Sequence, residues 1–336
     1  MAYKKALTII IPMYNVSEYI NRCLDSLTED ERIVNELEII VVNDGSTDDS
    51  ADKAKIYADK YPDIITLINK ENGGHGSALN VGIERATGQY LRVLDSDDWV
   101  KSGGLTKQIR YIKDQKPGEE VDAILNPYEE IWVNCGNTVK MDFNKLHDCK
   151  EPFSLKVLAD HNYFPFFYNT SVRTGIYKEN DIRRIDEGIF YDDIEFSIYT
   201  LPYLKRISYL PDVIYQYRLG IPGQSMNPVN KIKRQWMYEH VMDTIYNCRL
   251  VGGDAQRLIE LRLSMMLAAD LDLYLLWKDK RKAKKAFIEV YERYKDVPIS
   301  WHRAKKLKIL LMTKFSSFNL LGFYFNRKVN LLWGNI

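Results

Sequence analysis

The first hundred residues alternate between short apolar runs and longer amphipathic segments. Patterns typical of buried strands occur at Leu7–Met13, Leu37–Val42, Ile64–Ile68 and Tyr90–Leu94. Helical periodicity lies between them, near Val16–Leu27, Asp49–Tyr61 and Gly76–Ala86. This alternation of strand and helix predicts an α/β fold with a mixed, mainly parallel central sheet and helices on both faces.

After Trp99 the pattern is less regular. It predicts a helix near Leu105–Asp114 and strand-like pieces near Ala123–Val133, Thr170–Tyr177 and Ile207–Tyr217. From about Val229 the remaining segments have helical periodicity. We therefore expect an α/β domain over residues 1–220 and an α-helical C-terminal region over residues 221–336, with no repeat or low-complexity linker between them.

Composition excludes several classes of protein. The chain of 336 residues has a formal net charge of +1 and an ordinary apolar fraction, so we expect a globular protein without a nucleic-acid partner. Its four cysteines are scattered and form no CxxC pair, which argues against a disulfide framework or a zinc site and favours a reducing cytoplasm. No apolar stretch has the length of a secretory signal or a membrane span.

The last forty residues differ in charge from the rest. Residues 297–336 contain no Asp or Glu, and seven basic residues are mixed with large apolar ones: Arg303, Lys305, Lys306, Lys308, Lys314, Arg327 and Lys328. One interpretation is a basic amphipathic end that binds an anionic membrane surface, peripherally at the inner face of the plasma membrane. The other is a pair of helices that packs on the domain or on a second subunit, in a homo-oligomer. Both interpretations stay open.

Each strand of the first half ends in a loop with chemistry suited to a ligand. In "IPMYN", Pro12 fixes the backbone and Tyr14 offers a ring for stacking on a base. In "NDGSTDD", Asp44 offers hydrogen-bond acceptors and Gly45 permits a sharp turn. The glycine-rich "NKENGGHGSALN" leads into a helix whose first N–H groups suit phosphate. Open α/β sheets bind ligands at the carboxyl ends of their strands, so a nucleotide is the expected ligand.

The loop "LDSDD" after the fourth strand is the most specific of these signals. Asp95, Asp97 and Asp98 lie within four residues at the end of a buried strand, and carboxylates this close repel unless a cation or hydrogen-bond donors compensate. A hard divalent ion shared with a diphosphate would do so. An isolated Asp-x-Asp is more often a solvated turn, but here it follows three other loops with ligand chemistry.

Several motifs in order, "IIIPMYN", "VVNDGSTDDS", "NGGHGSALNVGIERATGQYLRVLDSDDW" and "YDDIEFSI", resemble the family 2 glycosyltransferases with the GT-A fold. The resemblance covers roughly Lys5–Leu219. It implies a nucleotide-binding half near residues 1–100 and an acceptor half near residues 101–220. The implied reaction is inverting transfer of a sugar from a nucleotide-diphosphate sugar, with a UDP-sugar as the first expectation. The implied acceptor is a glycan or a lipid-linked saccharide of cell-surface polysaccharide synthesis. The resemblance also implies Mn²⁺ or Mg²⁺ at Asp97. The nucleotide-sugar contacts it implies are Pro12, Tyr14, Asn15, Asp44, Gly45, Asn72, His75, Asn80, Asp95, Ser96 and Arg218.

The same resemblance assigns the acid–base chemistry to "IFYDDIEF". Asp193 is the expected general base, and Asp192 is expected to orient either the acceptor or the base. Arg218 is expected to clamp the diphosphate, with Gln224 and Ser225 as weaker candidates. The aromatic run His161–Arg173 is expected either to line the acceptor side or to pack in the core. One departure stands out, because Leu79 precedes Asn80 where many relatives have Arg. His75 is the candidate substitute, and a plain surface His is an equal alternative.

Three rival classes fit less well. A nucleotidyltransferase of related fold would carry a glycine- and arginine-rich phosphate loop after the first strand, where this chain reads "IPMYNVSEY". A phosphatase with an Asp nucleophile would place its Asp-x-Asp after the first strand instead of the fourth. A catalytically weak nucleotide-sugar-binding partner subunit would not need both Asp97 and Asp193. The sequence therefore favours a glycosyltransferase, and it leaves the sugar and the acceptor undefined.

Overall fold

The computed structural model describes residues 5–221, 224 and 227–297. The chain divides into two compact units, Met1–Leu219 and Gly220–Ile336. No helix among the described residues is long and apolar enough to cross a membrane. The basic amphipathic end predicted for the last forty residues lies outside the described part, apart from Val297, so both of its interpretations remain predictions.

The first unit contains a seven-stranded main sheet flanked by helices and a smaller sheet of four strands. The strands of both sheets, in chain order, are β1 (Leu7–Met13), β2 (Leu37–Asp44), β3 (Ile65–Lys70), β4 (Tyr90–Val93), β5 (Trp99–Val100), β6 (Ala123–Leu125), β7 (Tyr128–Trp132), β8 (Asn137–Met141), β9 (Thr170–Arg173), β10 (Ile207–Tyr209) and β11 (Tyr215–Leu219). Its helices are α1 (Ile20–Thr28), α2 (Ser50–Lys60), α3 (His75–Arg85), α4 (Gly104–Asp114), α5 (Leu155–His161), α6 (Thr174–Glu179) and α7 (Asp193–Thr200).

The main sheet has the order β10-β6-β9-β4-β1-β2-β3. β1 pairs in parallel with both β2 and β4, and β2 with β3, while β9 runs antiparallel to β4 and β6. The predicted mixed, mainly parallel sheet is confirmed. All seven residues of β1 are buried, as expected for a strand covered by helices on both faces.

Helix α3 packs closely on this sheet because it carries a glycine at the contact. A Cβ atom at Gly82 would lie 2.2 Å from Cγ2 of Ile10, so a larger residue would push the helix off β1. This contact holds α3 against β1, and the helix begins at His75, in the loop that leaves the carboxyl end of β3.

A second sheet of four strands, in the order β5-β11-β7-β8, stands beside the first. The segment of strand-like pieces at Ala123–Val133 and the strand predicted at Ile207–Tyr217 each contain two strands that belong to different sheets. Pro211 lies in the break of the second segment, and a proline cannot donate a ladder hydrogen bond. The segment at Thr170–Tyr177 is a strand followed by helix α6. Apolar runs alone did not show these changes of partner.

The second unit is helical in its described part. It contains α8 (Pro228–Lys233), α9 (Gln235–Cys248), α10 (Gly253–Tyr274) and α11 (Lys280–Arg293). Asn227 caps α8, its side chain accepting from the N–H of Val229 at 3.0 Å. Helix α10 packs against both α9 and α11. The assignment of residues 221–336 to one helical C-terminal region stays a prediction.

Candidate active site

The carboxyl ends of β1 to β4 meet at one edge of the main sheet, because these four strands are parallel neighbours. The first two loops at this edge are tied together: the side chain of Asn15 accepts from the N–H of Thr47 at 2.8 Å. Asn15 has a φ of +50°, a conformation that asparagine tolerates better than most residues. Pro12 is buried within β1, and Tyr14 is 50% exposed, so the tyrosine ring is accessible to a ligand.

Asp44 holds the glycine-rich loop in place. It is 2% exposed, and its carboxylate accepts from Nζ of Lys70 at 2.6 Å. It also accepts from the backbone N–H groups of Gly73 at 2.9 Å and Gly74 at 2.8 Å. The side chain of Asn72 donates to the carbonyl of Asp44 at 2.9 Å. With its oxygens engaged by protein donors, Asp44 orders the loop, and its predicted contact with the nucleoside stays a prediction.

Gly45 is required by the same arrangement. Its φ is +74°, in the left-handed region that favours glycine. A Cβ atom there would lie 2.9 Å from the backbone nitrogen of Asn72, so the loop after β2 approaches the loop after β3 only because this position lacks a side chain.

Three carboxylates converge directly after β4. Asp95, Asp97 and Asp98 each place one oxygen so that the three atoms lie within 4.8 Å of one another. Asp98 is fully buried; its oxygens accept from the hydroxyl of Tyr215 at 2.5 Å and from the N–H of Arg218 at 2.7 Å. Asp95 and Asp97 are partly exposed. An all-oxygen set of this kind fits a hard divalent cation, with Asp98 as the buried support of the loop.

The pKa of Asp98 is consistent with its role as the buried support of the loop. Burial, together with the nearby charges of Asp97 and Asp95, raises the pKa of Asp98 well above its usual range. The hydroxyl of Tyr215 also accepts from the N–H of Asp95 at 3.3 Å, so one tyrosine supports both ends of the loop. Ser96 is buried between the two outward-facing acids.

His75 joins this loop to the second acidic cluster. Its Nε2 lies 3.2 Å from Oδ1 of Asp95, and its Nδ1 lies 2.9 Å from Oδ1 of Asp192. Burial disfavours the charged imidazole, but the carboxylates of Asp192 and Asp95 outweigh it and raise the pKa of His75 well above its usual value. The histidine therefore connects the two clusters of acids at the start of α3.

The acidic pair differs in exposure. Asp192 is 2% exposed and faces His75, whereas Asp193, the first residue of α7, is only partly buried. Tyr191, just before them, has a φ of +73°, a strained conformation of the kind found at functional sites. Behind the pair, burial raises the pKa of Glu195 to about 7 while the N–H of Asp186 donates to it at 2.8 Å. Asp192 is thus the buried member of the pair and Asp193 the accessible one, and their roles stay predictions.

Asn80 and Arg218 support the site from two sides. The side chain of Asn80 pairs with the backbone of Ile185, donating at 2.9 Å and accepting at 3.0 Å, so it anchors the segment that leads to α7. Arg218 donates from Nε to the carbonyl of Asp97 at 2.8 Å. Gln224 accepts from the N–H of Ile221 at 3.1 Å in the second unit, and Ser225 lies outside the described residues. The nucleotide contacts expected of these residues stay predictions.

Part of the aromatic run lies beside the site. The rings of Phe166 and Tyr168 stack with centroids 5.1 Å apart, and Tyr168 stacks in turn on Tyr217 at 5.8 Å. Tyr217 and Tyr215 point to the same face of β11, since their positions differ by two. Phe164 and Phe167 are buried and belong to the core.

Comparison with known proteins identifies the family of the first domain and its fold. The family described as "Glycosyl transferase family 2" matches residues 8–164, a range that contains the four loops and the carboxylate triplet. Residues 8–164 thus form a family 2 glycosyltransferase domain. The GT-A fold is likewise shared with S. aureus TarS 1–349 in complex with UDP-GlcNAc: TM-score 0.59, 21% identity, covering 97% of this chain and 90% of that one.

Two relatives illustrate how far along the chain the similarity extends. The uncharacterized glycosyltransferase EpsJ of Bacillus subtilis is 45% identical over 215 residues, which are 63% of this chain and 60% of EpsJ. The poly(ribitol-phosphate) beta-glucosyltransferase of Bacillus spizizenii is 28% identical over 222 residues, 66% of this chain and 33% of the relative. The chain thus spans less than two thirds of the length of either relative.

Two residues that support this site could not be predicted from the sequence. Tyr215 supports the carboxylate triplet across 117 residues of sequence. Lys70 is the partner of Asp44. The signal for Tyr215 was a tyrosine near Arg218 on a predicted strand, which is too common a pattern to identify it.

Proposed function

We propose that this chain is an inverting glycosyltransferase that moves a sugar from a nucleotide-diphosphate sugar, with uridine as the first candidate nucleotide, to a hydroxyl of a glycan or lipid-linked acceptor in cell-surface polysaccharide synthesis. The observation that carries the proposal is the convergence of the two acidic clusters. His75 lies 3.2 Å from Asp95 and 2.9 Å from Asp192, so the triplet after β4 and the pair at α7 face one site. The name of one relative, the poly(ribitol-phosphate) beta-glucosyltransferase, favours a polymer as the acceptor.

The donor occupies the carboxyl edge of the main sheet in this proposal. The accessible ring of Tyr14 stacks on the base, and the loops ordered by Asn15 and Asp44 enclose the nucleoside. Asp97, with Asp95 beside it, would hold Mn²⁺ or Mg²⁺, which would supply charge neutralisation for the departing diphosphate. Arg218, anchored on the carbonyl of Asp97, adds a fixed cation on the same side.

Transfer then needs one base. Asp193 takes the proton of the acceptor hydroxyl while that oxygen forms a bond to the anomeric carbon and the bond to the diphosphate oxygen breaks, which inverts the configuration. Partial exposure of Asp193 leaves it accessible to an acceptor. The buried Asp192, held by His75, fixes the loop that presents the base.

The test is a thermal-shift panel of nucleotide sugars with and without Mn²⁺, because a ligand that binds the folded state raises its apparent stability. We expect a shift for one nucleotide class that depends on Mn²⁺ and disappears in Asp97→Ala, which should remain folded since the change relieves repulsion among three acids. Shifts of equal size for the wild type and Asp97→Ala would place the donor elsewhere.

The alternative of a catalytically weak partner subunit is tested in the same samples. Such a subunit would show the thermal shift without release of free sugar from a radiolabelled donor. Slow hydrolysis of the donor by the wild type, lost in Asp193→Asn, supports the enzyme.

A further inference from the structure

Two arginines meet at one indole ring beside the carboxylate triplet. The guanidinium carbon of Arg22 lies 3.4 Å from the ring centroid of Trp99, and that of Arg218 lies 5.0 Å from the same centroid. Arg218 is also 4.3 Å from the ring centroid of Tyr19. All of these distances are within the range of favourable cation–π contact. The cluster combines α1, β5 and β11.

Arg22 is a cation at a position where the local backbone favours an anion. It lies in the first turn of α1, where the helix dipole disfavours a cation. Its side chain is exposed, and within residues 5–221, 224 and 227–297 it has no hydrogen bond or ion pair with a carboxylate. Partial burial and the nearby charge of Arg218 both lower the pKa of Arg22. Uncompensated conflicts of this kind concentrate at functional sites.

Arg218 differs from Arg22 in its support. Its backbone N–H donates to the side chain of Asp98 at 2.7 Å, and its Nε–H donates to the carbonyl of Asp97 at 2.8 Å. Arg218 is therefore held against the loop proposed to bind the ion and the donor. Arg22 adds a second guanidinium that the donor diphosphate does not need once it has the ion and Arg218. The unmatched charge therefore favours a further anion next to the donor.

We propose that Arg22, with Trp99 and Arg218, forms a binding site for a phosphate group of the acceptor. This inference rests on the proposed function, because it assumes an acceptor beside the donor. Guanidinium groups pair with phosphate through two parallel hydrogen bonds, and stacking on the rigid indole pre-organises the plane of Arg22. The phosphate belongs either to a phosphodiester-linked glycan or to the group that joins a glycan to a lipid.

Calorimetry of the full chain with defined probes tests the site. The probes are a glycerol phosphate oligomer for a phosphodiester glycan, farnesyl diphosphate for a lipid-linked phosphate, and maltoheptaose as a neutral saccharide. We expect Arg22→Gln to weaken binding of at least one phosphate probe by about 10-fold, the loss of one charge-assisted contact, and Arg22→Lys to recover only part of it. The probe that loses affinity identifies the source of the phosphate.

The matched control is Arg85→Gln, which removes an exposed arginine from the last turn of α3, at the end of that helix remote from His75. We expect this variant to bind every probe as the wild type does. Binding of UDP with Mn²⁺ is measured on the same samples, and Arg22→Gln should leave it within about 2-fold.

Three results would overturn the inference. The wild type binds neither phosphate probe, or Arg22→Gln binds both phosphate probes as tightly as the wild type does. In the third, Arg22→Gln loses as much affinity for maltoheptaose as for the phosphate probes. A loss for UDP as large as for the phosphate probes would assign Arg22 to the donor instead. Wild-type binding of UDP with Mn²⁺ reports on the proposed function separately, so a failure of the acceptor site alone is recognisable.

Discussion

Replacing Tyr215 by Phe removes one oxygen atom that supports both ends of the carboxylate triplet. That hydroxyl donates to Oδ2 of Asp98 at 2.5 Å and accepts from the N–H of Asp95 at 3.3 Å, and the tyrosine is 1% exposed. The raised pKa of Asp98 favours its neutral form, so both hydrogen bonds join neutral groups, and each contributes about 0.5–1.5 kcal/mol. We therefore expect Tyr215→Phe to lower the free energy of unfolding by about 1–3 kcal/mol.

The same change should weaken donor binding. Without the hydroxyl, the loop that carries Asp95 and Asp97 loses a fixed support, so we expect the affinity for a nucleotide diphosphate with Mn²⁺ to fall. Urea denaturation measures the stability change, provided that the slope with urea is unchanged, and calorimetry measures the binding.

Tyr217→Phe is the matched control on the same face of β11. Its hydroxyl has no hydrogen bond within the part of the chain that the structure describes, so removing it should change stability by less than about 0.5 kcal/mol. The reasoning is refuted if the two variants unfold at the same urea concentration, or if Tyr215→Phe binds the nucleotide with Mn²⁺ as tightly as the wild type.

Three further variants test other parts of the account. Asp193→Asn should keep donor affinity but lose about 10²- to 10⁴-fold in transfer rate, because an amide cannot take the acceptor proton. Asp192→Asn should cost less, since it weakens the contact with His75 instead of deleting the base; the reverse order in steady-state rates would exchange the two roles. Burial, together with the charge of Glu239, raises the pKa of Asp270 to about 8. The folded chain therefore holds a proton that the unfolded chain releases near pH 4, so the free energy of unfolding falls as pH rises from about 4 to 8. Asp270→Asn should therefore raise the melting temperature at pH 8 more than at pH 5, and equal shifts would show that Asp270 is not held neutral.

The sequence predicted the main sheet well because its strands carry their own signal. β1 to β4 are short apolar runs separated by helical segments, and this local pattern requires no knowledge of distant contacts. The second sheet was not anticipated, since β5 has two residues and every residue of β8 is exposed. Neither strand has a hydrophobic period from which it can be identified.

The site was predicted as residues but not as contacts. Motifs predict Asp97 and Asp193 as site residues. The contact that links their loops joins His75 to Asp192 across 117 positions, a separation that no local pattern encodes. Asp44 has three protein donors that no sequence pattern announced, and its contact with the nucleoside stays a prediction. The surplus charge of Arg22 was likewise hidden, because an arginine in an amphipathic helix is ordinary until its neighbours are known.

The central claim is that Asp193 removes a proton at a site where a nucleotide-diphosphate sugar is bound, with inversion at the anomeric carbon. The most direct measurement is proton NMR of the free sugar at early times, when the donor identified by thermal shift is hydrolysed with water in place of the acceptor. We predict that the wild type first releases the anomer opposite to that of the donor, and that Asp193→Asn binds the donor but releases no sugar above background. Release of the retained anomer, or undiminished hydrolysis by Asp193→Asn, would contradict the account.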